Sequence, residues 1–111
     1  MGAKSRKGEL MRILARRTLR EFWGKHAKSE QPLKAWYEKV EKAKWTKGQD
    51  VLDEFGIQVK LIKGNRARFK IKGNDYRIII AIDYLRLGVF IKFVGTHAEY
   101  DKVDAETINI T

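Results

Sequence analysis

The sequence predicts an α+β fold in which two N-terminal helices pack on one face of a mainly antiparallel sheet and a short C-terminal helix follows. Three observations lead to this fold class. Apolar residues recur at helical spacing in the first half of the chain. Short segments rich in β-branched and aromatic residues, separated by Gly-Asn pairs, fill the second half. A chain of 111 residues with 43% hydrophobic residues is long enough to bury one modest core.

The first half is predicted to contain a short strand followed by two helices. Residues 12–17 alternate weakly between apolar and polar side chains, which indicates a strand. Thr18 and Glu21 have the spacing of a capping box, so we expect a helix to begin there and to end near His26. A second helix is expected from Ser29, because an apolar stripe follows it. The members of the stripe are Leu33, Trp36, Tyr37, Val40 and Ala43.

The second half is predicted to form the antiparallel sheet, after a short helical turn around residues 51–55. Two Gly-Asn pairs mark tight turns within it, since both residue types tolerate positive φ. Thr96 and Glu99 form a second capping box, which predicts a short final helix. The strands are expected at residues 58–62, 65–72, 76–83 and 89–94.

A single domain is expected over residues 11–111, preceded by a basic tail, residues 1–10, that is optional or non-native. The chain carries 24 Lys and Arg against 14 Asp and Glu, and this surplus favours a polyanionic partner, nucleic acid before membrane. A solvated basic surface is the alternative explanation. No apolar run reaches the roughly 18 residues of a membrane-spanning helix. The lack of cysteine and of an apolar secretion signal is compatible with the cytoplasmic location that we expect.

Strand parity collects cations on one face of the predicted sheet. In residues 65–72 every second side chain is basic, while the intervening side chains are apolar. A two-residue turn after this strand sets Arg77 beside Lys70 on the basic face. Any even-length loop after the next strand brings Lys92 to the same face and leaves Phe93 facing the helices. The expected RNA-binding residues are Arg66, Arg68, Lys70 and Lys72.

His97 and Tyr100 follow the sheet at the start of the last helix, three residues apart and therefore on one helical face. RNA cleavage without a metal needs groups that move protons to and from the reacting oxygens, and cations that stabilise charge on phosphorus. Histidine titrates near neutral pH and suits proton transfer. Arg77 and Lys92 suit the electrostatic role, because strongly apolar neighbours flank both. Two histidines, no cysteine and no paired-ligand spacing predict neither a metal site nor a cofactor.

Each of these residues also has a purely structural interpretation. His97 alone is more often a helix cap or a surface residue, and Tyr100 can pack against the sheet. The cations of residues 66–72 can form an ordinary solvated face. The main alternative function is therefore a non-catalytic RNA- or DNA-binding module that uses the same face for phosphate contacts. Lys92 close to His97 and Tyr100 favours an enzyme, since a binding module requires no histidine there.

The segments at residues 68–77, 91–93 and 95–101 resemble the HigB toxin family within the RelE-like superfamily. They read RFKIKGNDYR, IKF and GTHAEYD, and the order of strand, helices and sheet extends the resemblance over about residues 11–108. The resemblance implies the toxin of a type II toxin–antitoxin system, an endoribonuclease that cleaves messenger RNA on the ribosome. It also implies a HigA-like antitoxin with a helix-turn-helix DNA-binding domain, and a complex that represses its own operon.

The resemblance implies roles for five side chains in these segments. It implies that Arg77 and Lys92 stabilise the phosphorane, that His97 is the first candidate for acid or base, and that Tyr100 assists it. Arg68 is the fifth matching position. Because members of the superfamily vary in their catalytic side chains, the choice between acid and base stays open. A RelE-like protein that has lost cleavage and serves only as an interaction partner is a further alternative.

Overall fold

A five-stranded sheet forms the centre of the molecule, in a computed structural model that describes residues 10–110. The elements in chain order are β1 (Arg12–Leu14), α1 (Arg16–Lys25), α2 (Glu30–Glu41), α3 (Gly48–Phe55), β2 (Val59–Ile62), β3 (Arg66–Ile71), β4 (Tyr76–Asp83), β5 (Gly88–Thr96) and α4 (His97–Tyr100). The strand order is β1-β5-β4-β3-β2, and only β1 and β5 pair in parallel. The predicted α+β fold is confirmed. The predicted tail lies outside the described residues apart from Leu10, so the domain boundary stays a prediction.

The first helix begins earlier than the sequence pattern indicates. β1 has three residues, all paired with β5, and α1 starts at Arg16. Ala15, at φ 75°, turns the chain between them, and no side chain caps the helix. The capping box predicted at Thr18 and Glu21 is therefore wrong, because both residues lie inside the helix. Glu21 pairs instead with a surface arginine one turn away, at 3.1 Å.

The helices pack on one face of the sheet, which we call the helix face. Leu33, Trp36 and Val40 of the predicted α2 stripe are buried, and the Trp36 ring centroid lies 5.5 Å from that of Phe69. Burial of each large apolar side chain stabilises the fold by about 1.5–3 kcal/mol. On the sheet, the helix face consists of Ala67, Phe69, Ile71, Ile78, Ile80, Ile82, Val89, Ile91 and Val94.

The turn between β3 and β4 keeps the predicted register but is longer than predicted. Lys70 pairs with Arg77, as expected. β3 ends at Ile71, however, and the four residues from Lys72 to Asp75 form the turn. Lys72 adopts φ 53°, and its ammonium lies 3.2 Å from the Asp75 carboxylate. The expectation that Lys72 continues the basic face of the strand is therefore wrong, because its backbone has left the strand.

A β-bulge in β5 changes which side chains face the helices. Phe93 pairs with Ile79, and Ile91 pairs with the next residue of β4, so Lys92 is the extra residue between them. The bulge turns Phe93 to the opposite side of the sheet, which we call the open face, and the prediction that Phe93 faces the helices is wrong. Lys92 lies on the open face as predicted, with its ammonium 5.8 Å from the centroid of the Phe90 ring. An inserted residue reverses strand alternation, so a parity count cannot detect it.

The C-terminal segment, residues 101–110, crosses the open face. Arg66 donates from Nη1 to the carbonyl oxygens of Ala105 at 3.2 Å and Ile108 at 2.8 Å. The Ile110 N–H donates to the Lys92 carbonyl at 3.0 Å. The segment therefore spans the open face from β3 to β5, and these hydrogen bonds hold it in place.

Candidate active site

Two arginines, Arg68 and Arg77, lie next to each other on the open face, and we call them the arginine pair. Arg68 pairs across the strands with Ile79 and Arg77 pairs with Lys70, which makes the two arginines diagonal neighbours. The Nε atoms of both are buried and have no hydrogen-bond partner in the part of the chain that the structure describes. Arg77 is 4% exposed, and its Nη1 donates to the Asn74 carbonyl at 2.9 Å.

The electrostatics of the arginine pair favour an anionic ligand. Burial lowers the pKa of Arg77 from its ordinary value, and the positive charge of Arg68 lowers it further. Tyr100 and Asp101 act in the opposite direction on this pKa. The guanidinium stays protonated, because arginine does not lose its proton in proteins. Two neighbouring positive charges that are partly removed from water are unfavourable unless an anion compensates them.

Helix α4 starts with the predicted capping box, which is confirmed. The Glu99 N–H donates to Thr96 Oγ1 at 3.1 Å, and the Thr96 N–H donates to Glu99 Oε1 at 2.8 Å. The His97 N–H donates to the Asp75 carbonyl at 2.9 Å. These bonds tie the helix both to the end of β5 and to the β3–β4 turn, so its side chains are held beside the arginine pair.

Tyr100 lies over Arg77 and beside Phe93. Its ring centroid is 5.5 Å from the Arg77 Cζ atom, a cation–π distance, and 6.3 Å from the Phe93 ring centroid. Gly95 is required for this packing, because a Cβ atom there would lie 2.5 Å from Phe93 Cζ. The bulge at Lys92 and the glycine at position 95 together place an aromatic ring next to Tyr100.

His97 is held by a carboxylate four residues later. Its Nδ1 lies 3.1 Å from Asp101 Oδ2, and both side chains are about half exposed, at 44% and 59%. A carboxylate accepts hydrogen bonds, so this contact is a hydrogen bond in the tautomer that carries the proton on Nδ1. The Nε2 atom of the neutral ring is then unprotonated and available to accept a proton.

The structure brings some of the predicted site residues together and separates others. Arg68, Arg77 and Tyr100 are in one cluster, with His97 one turn away on α4. Lys92 lies farther away. The residue of β5 that pairs with Arg77 is Gly95, and Lys92 lies three residues before it, roughly 10 Å along the strand. Of the predicted RNA-binding residues, Lys70 lies opposite Arg77, Lys72 lies in the turn, and Arg66 lies beneath the C-terminal segment.

Sequence reasoning missed the roles of Asp101 and Phe93 in this site. Asp101 follows His97 by four residues, a spacing that places two side chains together on a helix. This spacing could have identified Asp101 from the sequence. No sequence signal marks Phe93, because its position depends on the bulge.

Residues 10–110 contain neither a cluster of metal-ligating side chains nor a membrane-spanning helix. No three His, Asp or Glu side chains in this range come close enough together to hold a metal ion. The longest described helix, α2, has 12 residues, and none in the range is long and apolar enough to span a membrane.

The comparisons with known proteins bear on residues 29–103, which include every site residue discussed above. This range, more than half of the chain, matches the family model of the HigB toxin, described as the RelE-like toxic component of a toxin–antitoxin system. A comparison with curated proteins gives no match. The match confirms the resemblance of the motif segments and implies an antitoxin as partner. The chain therefore belongs to the HigB toxin family of RelE-like toxins.

Proposed function

We propose that this toxin is a ribosome-dependent endoribonuclease that cleaves messenger RNA in the cytoplasm without a metal ion. The observation that supports it most directly is the arginine pair, two neighbouring cations beside a phenol and near a histidine. Their buried Nε atoms have no hydrogen-bond partner among the described residues. An RNA phosphate supplies the negative charge that the pair lacks, and guanidinium groups bind phosphate with well-directed hydrogen bonds. Membership of a toxin family supports a harmful activity on a cellular target.

The proposed reaction begins with attack of the ribose 2′-oxygen on the adjacent phosphorus. The P–O5′ bond breaks as the P–O2′ bond forms, which leaves a 2′,3′-cyclic phosphate on one fragment and a 5′-hydroxyl on the other. A base removes the 2′-hydroxyl proton, and an acid delivers a proton to the departing 5′-oxygen. Electrons and protons balance without an oxidant, a reductant or a metal.

We assign proton transfer to His97, assisted by Tyr100. With Nδ1–H bound to Asp101, the neutral imidazole presents Nε2 as a base, and the protonated ring presents the same atom as an acid. Asp101 is a positioning residue, because it fixes the tautomer and the orientation of the ring. The Tyr100 ring lies over Arg77 and follows His97 by three residues on the same helix, so we propose that its hydroxyl binds an oxygen of the same phosphate.

We assign charge stabilisation to Arg77 and Lys92, with Arg68 as a phosphate ligand. Arg77 is nearly buried and acts mainly through its charge, whereas Arg68 is half-buried and can reach a bound strand. Lys92 lies on the same face, on β5, with its ammonium near the Phe90 ring. We propose that its long side chain reaches the reacting phosphate from the β5 side, while Arg77 acts from β4.

The remaining predicted RNA-binding residues are proposed to differ in role. Lys70 and Lys72 are placed to contact phosphates that neighbour the cleaved one. Arg66 already donates to two carbonyl oxygens, so we propose that its contribution to RNA binding is indirect, through the position of the C-terminal segment. We further propose a HigA-like antitoxin with a helix-turn-helix domain, and a toxin–antitoxin complex that represses its own operon.

Expression of the toxin in bacteria, without and with its antitoxin, tests the toxic role. Growth should stop with the toxin alone and recover with both proteins. Purified protein should then cleave ribosome-bound message. Soluble, folded protein that binds RNA but yields no cleaved message would instead identify a non-catalytic nucleic-acid-binding module.

Metal independence needs a separate assay, because ribosomes themselves require magnesium. Toxin that has been stripped of bound metal with a chelator, and then freed of the chelator, should cleave ribosome-bound message as fast as untreated toxin. Loss of cleavage that one added metal ion restores would contradict the proposal.

A further inference from the structure

A cleft of about 200 Å³ lies on the other side of the β3–β4 turn from the arginine pair. It exists because β2 pairs with β3 only as far as Val59 and Phe69, so the last residues of β3 have a strand on the β4 side and none on the other side. Trp36 from α2, Phe55 at the end of α3 and the end of β3 form its walls. The cleft is smaller than the roughly 300–1,000 Å³ typical of small-molecule sites, so it suits one ring or one phosphate group.

Three lysines give the cleft a positive charge. Lys39, Lys70 and Lys72 line it, and none of the described residues that line it is acidic. The Lys39 ammonium donates to the Glu54 carbonyl at 3.2 Å and lies 4.4 Å from the Phe55 ring centroid, so it is held at the wall. The Lys72 ion pair is exposed and therefore weak. The lining is thus complementary to an anion.

The aromatic wall adds a second feature, a buried donor without an acceptor. Trp36 is 4% exposed, and its Nε1 has no hydrogen-bond partner in the described residues. The indole of Trp45, by contrast, donates to Glu54 Oε1 at 2.9 Å. The half-buried ring of Phe55 lies beside the Lys39 ammonium, and rings beside cations are the surface on which single-stranded RNA bases stack while their phosphates are neutralised.

We propose that this cleft binds one nucleotide of the RNA strand, next to the nucleotide at the arginine pair. This inference rests on the proposed function and adds a subsite to it. Lys70 connects the two places, because it lines the cleft and is also the cross-strand partner of Arg77. A strand that leaves Arg77 passes Lys70, turns round the end of β3 and reaches Lys39 and the ring of Phe55.

The test is a titration of the isotope-labelled full chain with a 2′-O-methyl trinucleotide, followed by nuclear magnetic resonance. The methylated oxygen cannot attack phosphorus, so binding is measured without cleavage. The indole N–H resonance of Trp36 should shift, and that of Trp45 should not. Inorganic phosphate and a mononucleotide, titrated separately, should produce smaller shifts, because neither spans the two places.

Variants on the cleft wall give a second readout. Lys39→Gln and Lys72→Gln should each weaken trinucleotide binding by about fivefold, and less at high salt. Lys42→Gln, which changes an exposed lysine just after α2 that does not line the cleft, is the matched control and should leave binding unchanged.

The outcomes separate this inference from the proposed function. A trinucleotide that binds without shifting Trp36, or binds equally to Lys39→Gln, overturns the subsite even if the toxin cleaves RNA. An equal shift with inorganic phosphate identifies a site for free anions and also overturns it. A Trp36 shift and the fivefold losses support the subsite even if no cleavage is detected.

Discussion

Arg66 and the arginine pair carry the same chemical group on the same face of the sheet, but their surroundings differ. Arg66 donates to two carbonyl oxygens of the C-terminal segment, and its role is to hold that segment. The buried Nε atoms of Arg68 and Arg77 have no acceptor within residues 10–110. Arg66 therefore stabilises the fold, whereas the positive charges of Arg68 and Arg77 need an anion that residues 10–110 do not supply.

His97 lies next to the arginine pair, and we expect His97→Ala to cause the largest loss of cleavage activity. If the imidazole transfers a proton, its removal should slow cleavage roughly a hundred- to ten-thousandfold. The measurement is single-turnover cleavage of ribosome-bound message at saturating protein, with folding checked by circular dichroism. Lys63→Ala, on the exposed β2–β3 turn, is the control and should weaken binding only modestly and in a salt-dependent way. A folded His97→Ala variant that cleaves at the parental rate would place the active site elsewhere.

Arg77→Ala should slow cleavage by about a hundred- to a thousandfold, because it removes a preorganised positive charge. Its stability should change little, because the removal of a buried positive charge beside Arg68 offsets the loss of one hydrogen bond to the Asn74 carbonyl. Arg77→Lys keeps the charge without the planar fork and should recover part of the rate. Urea unfolding beside the kinetic assay checks both statements. Full cleavage by a folded Arg77→Ala variant would remove the arginine pair from the mechanism.

Lys92→Ala should slow the cleavage step by roughly a hundredfold, because one electrostatic contribution to the transition state is lost. Binding of message should change less than the rate. The comparison of single-turnover rate with dissociation constant for ribosome-bound message distinguishes the two effects. A loss confined to binding would show that Lys92 contacts a neighbouring phosphate and not the reacting one.

Arg66→Ala should have the smallest effect on cleavage and a clear effect on stability. Two carbonyl oxygens of the C-terminal segment lose a charged donor, so the free energy of unfolding should fall by about 1.5–3 kcal/mol. Urea unfolding measures this change, with Arg12→Ala, on the exposed edge strand, as the control. An Arg66→Ala variant that is as stable as the parent but inactive would reverse the comparison and make Arg66 a site residue.

Part of the candidate site could be predicted from the sequence. The neighbourhood of Arg68, Lys70 and Arg77 follows from the alternation of β3 and the register of one hairpin. The position of Tyr100 follows from the capping box at the start of α4. The sequence could not show which arginines lack an acceptor within residues 10–110. That depends on where the carbonyl oxygens of the C-terminal segment lie in the folded protein.

The sequence by itself determined the fold class, the apolar stripe of α2, the register of the β3–β4 hairpin and the family. These features depend on periodicity and on short motifs, which are local properties. The start of α1, the bulge at Lys92 and the path of the C-terminal segment were decided by tertiary structure. Each depends on residues far apart in the chain: β1 ends where its pairing with β5 ends, and Arg66 binds carbonyl oxygens 39 and 42 residues later. Such contacts form only when the sheet has assembled, so no local pattern encodes them.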